Sequence, residues 1–284
     1  MADLKNKIDF KMLICVNMAN CNGDPLNGNR PRTDYNGFGE ISDVCIKRKL
    51  RNRIQDEGAR IFVQSDERSD DGCKSLSERA AKFLPKTKDK EEYAKKACET
   101  WLDVRSFGQV FAFKAGNVSV GVRGPVSIHQ AVSISPVEVQ SFQITKSVNG
   151  EPAKGDGDND KRSSDTMGMK HMVRFGLYEI KGSINVQLAQ KTGFTEEDAE
   201  LIRQCLLSLF ENDASSARPD GSMEVVRLYW WKHDCPMGQH SSAKVHRSIK
   251  VVPKDSSAIP SGFEDYEIIE TPLEGLTPEI YDGI

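Results

Sequence analysis

The sequence predicts an α+β protein with a β-α-β-β-α-β core, a helical insertion and a projecting polar arm. Three observations predict this class. A strand-type alternation opens the chain at residues 8–18, helix-type patterns recur at 42–58 and 195–210, and strand-type patterns lie between and after them. That order is the ferredoxin-like plan, on which RNA-recognition modules are also built.

Composition excludes several classes of protein. The chain has 284 residues and a formal net charge of −3, with 39 basic and 42 acidic residues. Domains that bind nucleic acid through bulk charge are usually basic overall, so contact with a polyanion would have to be local. The seven cysteines are scattered without a C-x-x-C pair, which indicates a reducing compartment. No apolar run approaches a membrane span, so we expect a cytoplasmic protein with no membrane partner.

The first strand and the loop after it hold the most informative residues. Alternating apolar residues from Ile8 to Met18 predict a half-buried strand. The loop NCNGDPLNGNRPRTD, residues 20–34, combines Asn, Gly and Pro turn residues with Arg30 and Arg32. Such residues support tight turns with positive φ. The loop leads into a helix, whose orphan N–H groups and dipole favour an anion, so a polyanion is the first candidate ligand.

A basic helix is predicted from Ser42 to Asp56, with Ser42 as its cap and Gly58 as its stop. Its predicted inner stripe consists of Val44, Ile46, Leu50 and Ile54. Its predicted outer face carries Lys47, Arg48, Lys49, Arg51 and Arg53. A solvated basic face is an ordinary feature of a helix. Directly after an Arg-bearing loop, the face is better interpreted as the continuation of one anion site.

The middle of the chain predicts an insertion followed by strands. Residues 59–104 are charged and helix-prone, with a helix expected from Leu76 to Thr100, and 104–139 read as strands broken by Gly or Pro. Within them, RSFGQVFA meets four of the seven positions that define the RNA-recognition signature, but Gln109 replaces the central stacking aromatic. An ordinary strand with a Gly bulge is the favoured interpretation.

A polar arm interrupts the strand pattern at residues 144–171, because GEPAKGDGDND in its middle cannot bury apolar area. Its flanks hold Lys146, Met167, Met169, Lys170 and His171. These flanks suit an arm that clamps a ligand, and a plain surface loop is the alternative.

The C-terminal part completes the plan. Strand periodicity returns at 173–188, and a helix with a Thr195–Asp198 capping pair follows and runs to Phe210. A strand is predicted at 224–231, and the Pro-containing tail after Val251 is expected to lie over the core.

Catalytic constellations are sparse. The sequence contains no P-loop, G-x-S-x-G or dinucleotide-binding fingerprint. Four potential ligands lie within fourteen residues but match no closed zinc pattern, so structural roles, no metal and no cofactor are expected: His233, Cys235, His240 and His246. Asp24 and Asp34 could hold Mg²⁺ for phosphodiester cleavage, although carboxylates in such a loop are more often turn formers.

A family resemblance rests on five motifs in order: CNGDPLNGNRPRTDYNGFGEISDVCIKRKLRN, DVRSFGQVFAF, SSDTMGMKH, RFGLYEIKGSINVQLAQKTGF and SSARPDGSMEVVRLYWWKH. From Ile8 to about Arg247, the chain resembles the backbone subunit of the type I-C CRISPR surveillance complex, Cascade, of the repeat-associated RNA-recognition superfamily. The resemblance implies an α+β hand. It has a palm at 1–58, 105–143 and 172–250, a finger insertion at 59–104, a thumb at 144–171 and a tail at 251–284.

The resemblance also implies a function. Such subunits are not catalytic, and they line up head to tail along a CRISPR guide RNA in the prokaryotic cytoplasm. The implied partners are the guide RNA, the target DNA strand paired to it, copies of the chain, the large, small and guide 5′-handle-binding subunits, and a recruited helicase-nuclease. Each copy needs only a few phosphate contacts because many copies act together, and guide pairing reads the sequence.

The site residues follow from the same resemblance. The implied phosphate ligands are Asn22, Arg30, Ser42, Lys47 and Arg51. Chemistry adds Arg32, Lys146, Lys170 and His171, and either Met167 or Met169 is a candidate wedge between bases, with core packing as the alternative. The alternative function is a metal-dependent ribonuclease of the related type III backbone kind, using Asp24 or Asp34. A stand-alone RNA-recognition domain is disfavoured by the long insertions.

Overall fold

The computed structural model describes residues 2–113, 119–145 and 167–284. Its strands are β1 (Ile8–Ala19), β2 (Gly23–Asp24), β3 (Arg30–Pro31), β4 (Phe38–Ile41), β5 (Gln109–Phe111), β6 (Val120–Val122), β7 (Val126–Ile128), β8 (Ala131–Pro136), β9 (Val139–Thr145), β10 (Met167–Ile184), β11 (Met223–Lys232), β12 (Ile249–Pro253), β13 (Tyr266–Glu270) and β14 (Glu279–Tyr281). Its helices are α1 (Asp43–Asp56), α2 (Leu76–Phe83), α3 (Lys90–Thr100), α4 (Leu102–Phe107), α5 (Val186–Thr192), α6 (Glu196–Leu207) and α7 (Ser242–Arg247). Across these ranges, no helix combines the length and apolar character needed to cross a membrane.

The main sheet is antiparallel, with the strand order β14-β11-β1-β10-β8-β4, and β7 and β9 also pair with β10. Along the chain, β1, α1, β8, β10, α6 and β11 follow the β-α-β-β-α-β order. The α+β class with a large antiparallel sheet is confirmed. The division into palm, fingers and thumb stays a prediction.

Strand β1 is buried on both faces, which corrects the expectation of a half-buried strand. Phe10 and Met12 pack in the cluster that α1, α5 and α6 cover. Leu13 and Cys15 face the other way and pack in a second cluster with aromatic residues of β11 and apolar residues of the C-terminal segment. The chain after β11 therefore covers a sheet face that an alternating pattern leaves to solvent.

Helix α1 has the predicted cap and a different inner face. The Ser42 Oγ accepts a hydrogen bond from the Cys45 N–H at 3.3 Å. Val44 is exposed, contrary to prediction, whereas Lys49 and Arg53 are buried. Lys49 pairs with Asp213, and Arg53 pairs with carboxylates one turn further along α1. Their aliphatic stems cover apolar surface while their charged ends reach carboxylates.

The insertion has its own core, in which the ring centroids of Phe62 and Trp101 lie 4.7 Å apart. This cluster extends to Phe111 in β5, past the predicted boundary at residue 104. The single helix expected from 76 to 100 is two helices, α2 and α3. Leu84 ends α2 in an extended conformation because it precedes Pro85, which disfavours the helical region for the residue before it.

Two further predictions were wrong about strands. Residues 104–107 belong to helix α4, which ends at Gly108 with a φ of 81°, and a Cβ there would lie 2.4 Å from the Val122 carbonyl oxygen. Strand β10 ends at Ile184, because Asn185 caps helix α5 and accepts a hydrogen bond from the Leu188 N–H at 2.9 Å. The capping box at Thr195 is confirmed, although α6 ends at Leu207.

The C-terminal segment consists of short strands. β12 and β13 form a hairpin whose Val251 and Tyr266 pack in the second cluster. β14 pairs with β11 and forms one edge of the main sheet.

Asp103 fastens the insertion to α1, which gives a stability prediction. Its buried carboxylate accepts hydrogen bonds from the Phe62 N–H at 2.6 Å, the Val63 N–H at 3.1 Å and the Arg51 Nε at 2.8 Å. Asp103→Ala leaves these donors unpaired. We expect it to lower the free energy of unfolding by about 3 kcal/mol in urea denaturation.

The matched control is Glu211→Ala, which removes an exposed carboxylate. It should change the free energy of unfolding by less than about 0.5 kcal/mol. Equal effects of the two substitutions would show that Asp103 does not fasten the insertion.

Candidate nucleic-acid interface

The predicted loop and the predicted arm meet at one end of the main sheet. The loop leaves β1 at Ala19, which lies opposite Val173 of β10. Beyond that pair, β10 continues with β9 as an antiparallel hairpin that reaches Met167 opposite Thr145. Residues 146–166 of the predicted thumb, including Lys146, lie outside the described residues.

The loop has a defined shape. β2 and β3 pair within it, and Asp24 caps a short 3-10 helix by accepting a hydrogen bond from the Leu26 N–H at 3.2 Å. Gly28 and Asn29 both have a φ of 58°, as the turn residues predict. The Asn20 Nδ2 donates to the Asn29 carbonyl oxygen at 2.7 Å. The loop can therefore hold side chains in fixed positions.

Asn22 connects this loop to helix α1. Its Oδ1 accepts a hydrogen bond from the Ser42 N–H at 2.9 Å, and its carbonyl oxygen accepts one from the Arg32 N–H at 3.0 Å. Asn22 thus fixes the loop against the start of the helix. The Ser42 hydroxyl still has its own proton to donate, since its oxygen acts as an acceptor in the cap.

Three of the predicted cations have carboxylate partners within the chain. The Arg32 Nη2 lies 3.5 Å from an Asp24 oxygen, and the Lys47 Nζ lies 2.9 Å from an Asp43 oxygen. The Arg51 Nε is committed to Asp103, and its guanidinium lies over the Phe107 ring at 5.1 Å. Lys47 and Arg51 are therefore less free for an external anion than the sequence suggests.

Two cations of the loop and α1 lack such a partner. Within residues 2–113, 119–145 and 167–284, no carboxylate lies within ion-pair distance of Arg30 or Arg48. Arg48 is half-buried, and its hydrogen-bonding contact is a long one to Asn52 Oδ1 at 3.5 Å. Burial, with a smaller contribution from Arg51, lowers the pKa of Arg48, and the charge of Asp103 partly opposes this, although guanidinium stays charged in proteins. A half-buried cation without a direct ion pair costs free energy, part of which a bound anion would recover.

The sequence placed Arg48 on the basic face of α1 but did not select it as a phosphate ligand, and the charge pattern of the helix explains part of this. Lys47 has Asp43 four residues before it, and Arg53 has Asp56 and Glu57 within one turn after it. No acidic residue lies three or four positions from Arg48. Counting acidic neighbours at helical spacing therefore separates Lys47 and Arg53 from Arg48, Lys49 and Arg51. Of the last three, Lys49 and Arg51 find their carboxylates outside the helix, at Asp213 and Asp103, and only the structure shows this.

The base of the hairpin presents a mixed surface. The His171 Nδ1 lies 2.9 Å from the Ser141 Oγ, and Lys170 is half-buried on the opposite face of the strand. Met167 and Met169 share one face and are 60% and 57% exposed. Core packing, the alternative for these methionines, is wrong.

Asp24 and Asp34 act as turn formers in this structure. The Asp34 Oδ1 accepts hydrogen bonds from the Asn36 N–H and the Phe38 N–H, both at 2.8 Å, and Asp24 caps its 3-10 helix. Among the residues that the structure describes, no group of three His, Cys, Asp or Glu side chains forms a potential metal site.

The histidines near the C-terminus hold the chain together. His233 is buried, with Nε2 2.9 Å from Asp9 Oδ2 and Nδ1 accepting a hydrogen bond from the Gln239 N–H. The His246 Nε2 lies 3.1 Å from the Gly182 carbonyl oxygen, and burial lowers the pKa of His246. These contacts match the structural roles that the spacing predicted.

The RNA-recognition signature does not form a stacking platform. Phe107 belongs to helix α4 and lies beneath Arg51, and the Arg105 guanidinium binds both oxygens of Asp198, at 2.7 and 2.8 Å. β12, β13 and α7 cover the sheet face opposite α1, α5 and α6. The end of the sheet, with its loop and hairpin, is therefore the better candidate surface for a polyanion.

Comparisons with known proteins identify the family. A family model described as "CRISPR-associated protein Cas7" matches residues 6–271. A CRISPR-associated protein Cas7 from Haloferax volcanii is 26% identical over 249 residues, which cover 79% of this chain and 69% of that protein.

One solved structure supports the fold. A chain of a "CRISPR RNA-guided surveillance complex, pre-nicking" matches with a TM-score of 0.51 and 17% identity, over 89% of this chain and 82% of that one. A chain of a "CRISPR RNA-guided surveillance complex" matches with a TM-score of 0.45 and 15% identity, over 79% and 68%. Because the family model covers most of its length, this chain belongs to the CRISPR-associated Cas7 family.

Proposed function

We propose that this chain is a non-catalytic subunit of a type I-C Cascade complex that binds CRISPR guide RNA and lines up head to tail along it. The observation that carries this proposal is that Arg30 in the loop and Arg48 in α1 have no carboxylate within ion-pair distance in the described chain. Guanidinium groups bind phosphate through paired hydrogen bonds, and a guide backbone offers phosphates at regular intervals. Membership of the Cas7 family supports RNA as the polyanion.

In this proposal the other site residues contact the RNA in different ways. Asn22 holds Ser42 in place, and the Ser42 hydroxyl donates to a phosphate oxygen. Lys47 exchanges Asp43 for phosphate, and the outer nitrogens of Arg51 add a second contact while its Nε stays on Asp103. In this proposal the remaining site residues contact the bound RNA at its sides: Arg32, Lys146, Lys170 and His171.

The exposed methionines of the hairpin complete the surface. Met167 and Met169 lie on one face of β10, where a flexible apolar side chain can enter between two bases. Because the chain is acidic overall, its affinity for RNA depends on many copies acting together.

The same proposal includes the partners and the compartment. The guide pairs with a target DNA strand, and the large, small and guide 5′-handle-binding subunits complete the complex, to which a helicase-nuclease is recruited. Recognition of backbone shape leaves sequence reading to base pairing, which suits a cytoplasmic complex that must accept any guide.

Removing the uncompensated guanidinium tests the site. Arg48→Ala should weaken binding of a CRISPR-type guide RNA about tenfold and reduce the slope of log K against log salt by about one. Lys47→Ala should have a smaller effect, because Lys47 already has Asp43 as a partner. Fluorescence anisotropy across a salt series measures both quantities.

The control is Lys191→Ala, an exposed cation near the end of α5, far along the chain from the loop. It should leave the RNA affinity within about twofold of wild type. If Arg48→Ala binds RNA as tightly as this control does, the proposed guide surface is misplaced.

A second prediction separates a scaffold from the metal-dependent ribonuclease. Asp34→Asn keeps an oxygen to accept the hydrogen bonds of Asn36 and Phe38, so the turn should survive, but it removes the charge that a Mg²⁺ ligand needs. Guide RNA incubated with Mg²⁺ should stay intact with both the wild type and the variant. RNA shortened by the wild type and spared by Asp34→Asn or Asp24→Asn would instead establish a nuclease.

A further inference from the structure

Charge is unevenly distributed along this chain. Residues 255–284 contain eight acidic and no basic side chains, so with an overall charge of −3, residues 1–254 carry +5. Six lysines and three carboxylates lie within residues 82–96 of the insertion. A chain that meets its own copies head to tail needs two different, complementary surfaces, and opposite charge is one way to build them.

The acidic surface includes an edge of the main sheet. β14 pairs with β11 on one side and is the last strand in that direction among those that the structure describes. Glu279 in β14 and Asp282 directly after it are exposed, and Ile280 between them is 47% exposed. Asp282 lies 3.3 Å from Arg227, whereas no cation of the described chain lies within ion-pair distance of Glu279. This edge therefore presents an apolar side chain flanked by carboxylates.

A cleft in the insertion has lysines at its rim. It has a volume of about 550 Å³ and opens between the end of α2 and the outer face of α3. Phe83, Leu84 and Pro85 supply apolar surface, and Lys82 and Lys95 are exposed at the rim. The rest of the charged lining consists of Lys96, which pairs with Glu99 at 3.4 Å, and of Glu92, so lysines outnumber carboxylates by one. Within the described ranges, no carboxylate lies within ion-pair distance of Lys95.

These two surfaces lie toward opposite sides of the sheet. α3 packs on α4, and α4 contacts β7, which pairs with β10 on the side away from β1. β14 lies beyond β11, so β11, β1 and β10 separate the two surfaces. A second copy displaced across the sheet can therefore bring its edge to the cleft while its own cleft stays open for a third.

We propose that the cleft between α2 and α3 receives the β14 edge of a second copy, with Ile280 on the apolar floor and Glu279 and Asp282 against the lysines of the rim. The inference rests on the proposed head-to-tail assembly and gives that assembly a contact formed by protein alone. Such a contact makes guide binding cooperative, because each bound copy offers a cleft or an edge to the next.

Two charge reversals test the contact. Lys82→Glu/Lys95→Glu reverses the rim, and Glu279→Lys/Asp282→Lys reverses the edge. The probes are an RNA long enough for several copies and an RNA that accommodates one copy. On the long RNA, each reversal should weaken the addition of successive copies about tenfold, measured by light scattering and binding isotherms. On the short RNA, affinity should stay within about twofold of wild type.

Mixing the two variants gives the sharpest result. The reversed rim of one matches the reversed edge of the other, and the unchanged surfaces match as well, so the mixture should recover cooperative assembly that neither variant shows alone. Lys191→Glu/Lys250→Glu carries the same change of charge on exposed lysines outside the cleft and should assemble like the wild type.

Three outcomes would overturn the proposal. They are unchanged cooperativity in both reversals, a mixture that does not recover it, and a rim reversal that weakens binding of the short RNA, which would show that the cleft holds nucleic acid. If the wild type binds no RNA, the proposed function fails, yet the self-association of the wild type at low salt, compared with the variants and their mixture, still tests the contact.

Discussion

The burial of β1 on both faces is the constraint on which the rest of the structure depends. Because β10 and β11 flank it and clusters cover both of its faces, its polar residues must find partners inside the protein. Asp9 meets His233 and Lys7, and the Lys11 Nζ donates to the Ile249 carbonyl oxygen at 2.6 Å and meets Glu179. These contacts bind the C-terminal segment to the sheet. The loop that follows β1 is therefore attached to a strand that is held firmly on both faces.

The same need for compensation separates structural from functional cations in α1. Lys49 and Arg53 carry charge into the interior and are matched by carboxylates, so they hold the fold. Arg48 is half-buried beside Asn52 and Arg51, and no carboxylate of the described chain lies within ion-pair distance of it. The free energy that a missing ion pair costs at Arg48 is available to a ligand, and the proposed anion site rests on this argument from charge as well as on the family.

Local patterns predicted the elements whose determinants are local. The Ser42 cap, the Thr195–Asp198 capping box and the positive-φ turns of the loop each depend on residues within four positions. The wrong predictions concern residues whose burial or secondary structure depends on partners far away in the sequence. Lys49 is buried because Asp213 lies beside it, and the stretch around Arg105 is helical at a place where Asp198 anchors its side chain. For the candidate site, sequence found the loop and the helix, but only the structure showed which cations were already paired.

A fold that shares the element order of RNA-recognition modules but covers the open face of its sheet must bind RNA elsewhere. The C-terminal segment occupies that face and is strongly acidic, so both shape and charge exclude RNA from it. The proposed binding at the end of the sheet, through a loop, a helix start and a hairpin, would reach phosphates and sugars more readily than base edges. Stacking and base contacts on the sheet face would favour some guide sequences over others. A protein that must accept every guide sequence therefore gains from binding RNA at the end of the sheet instead of on its face.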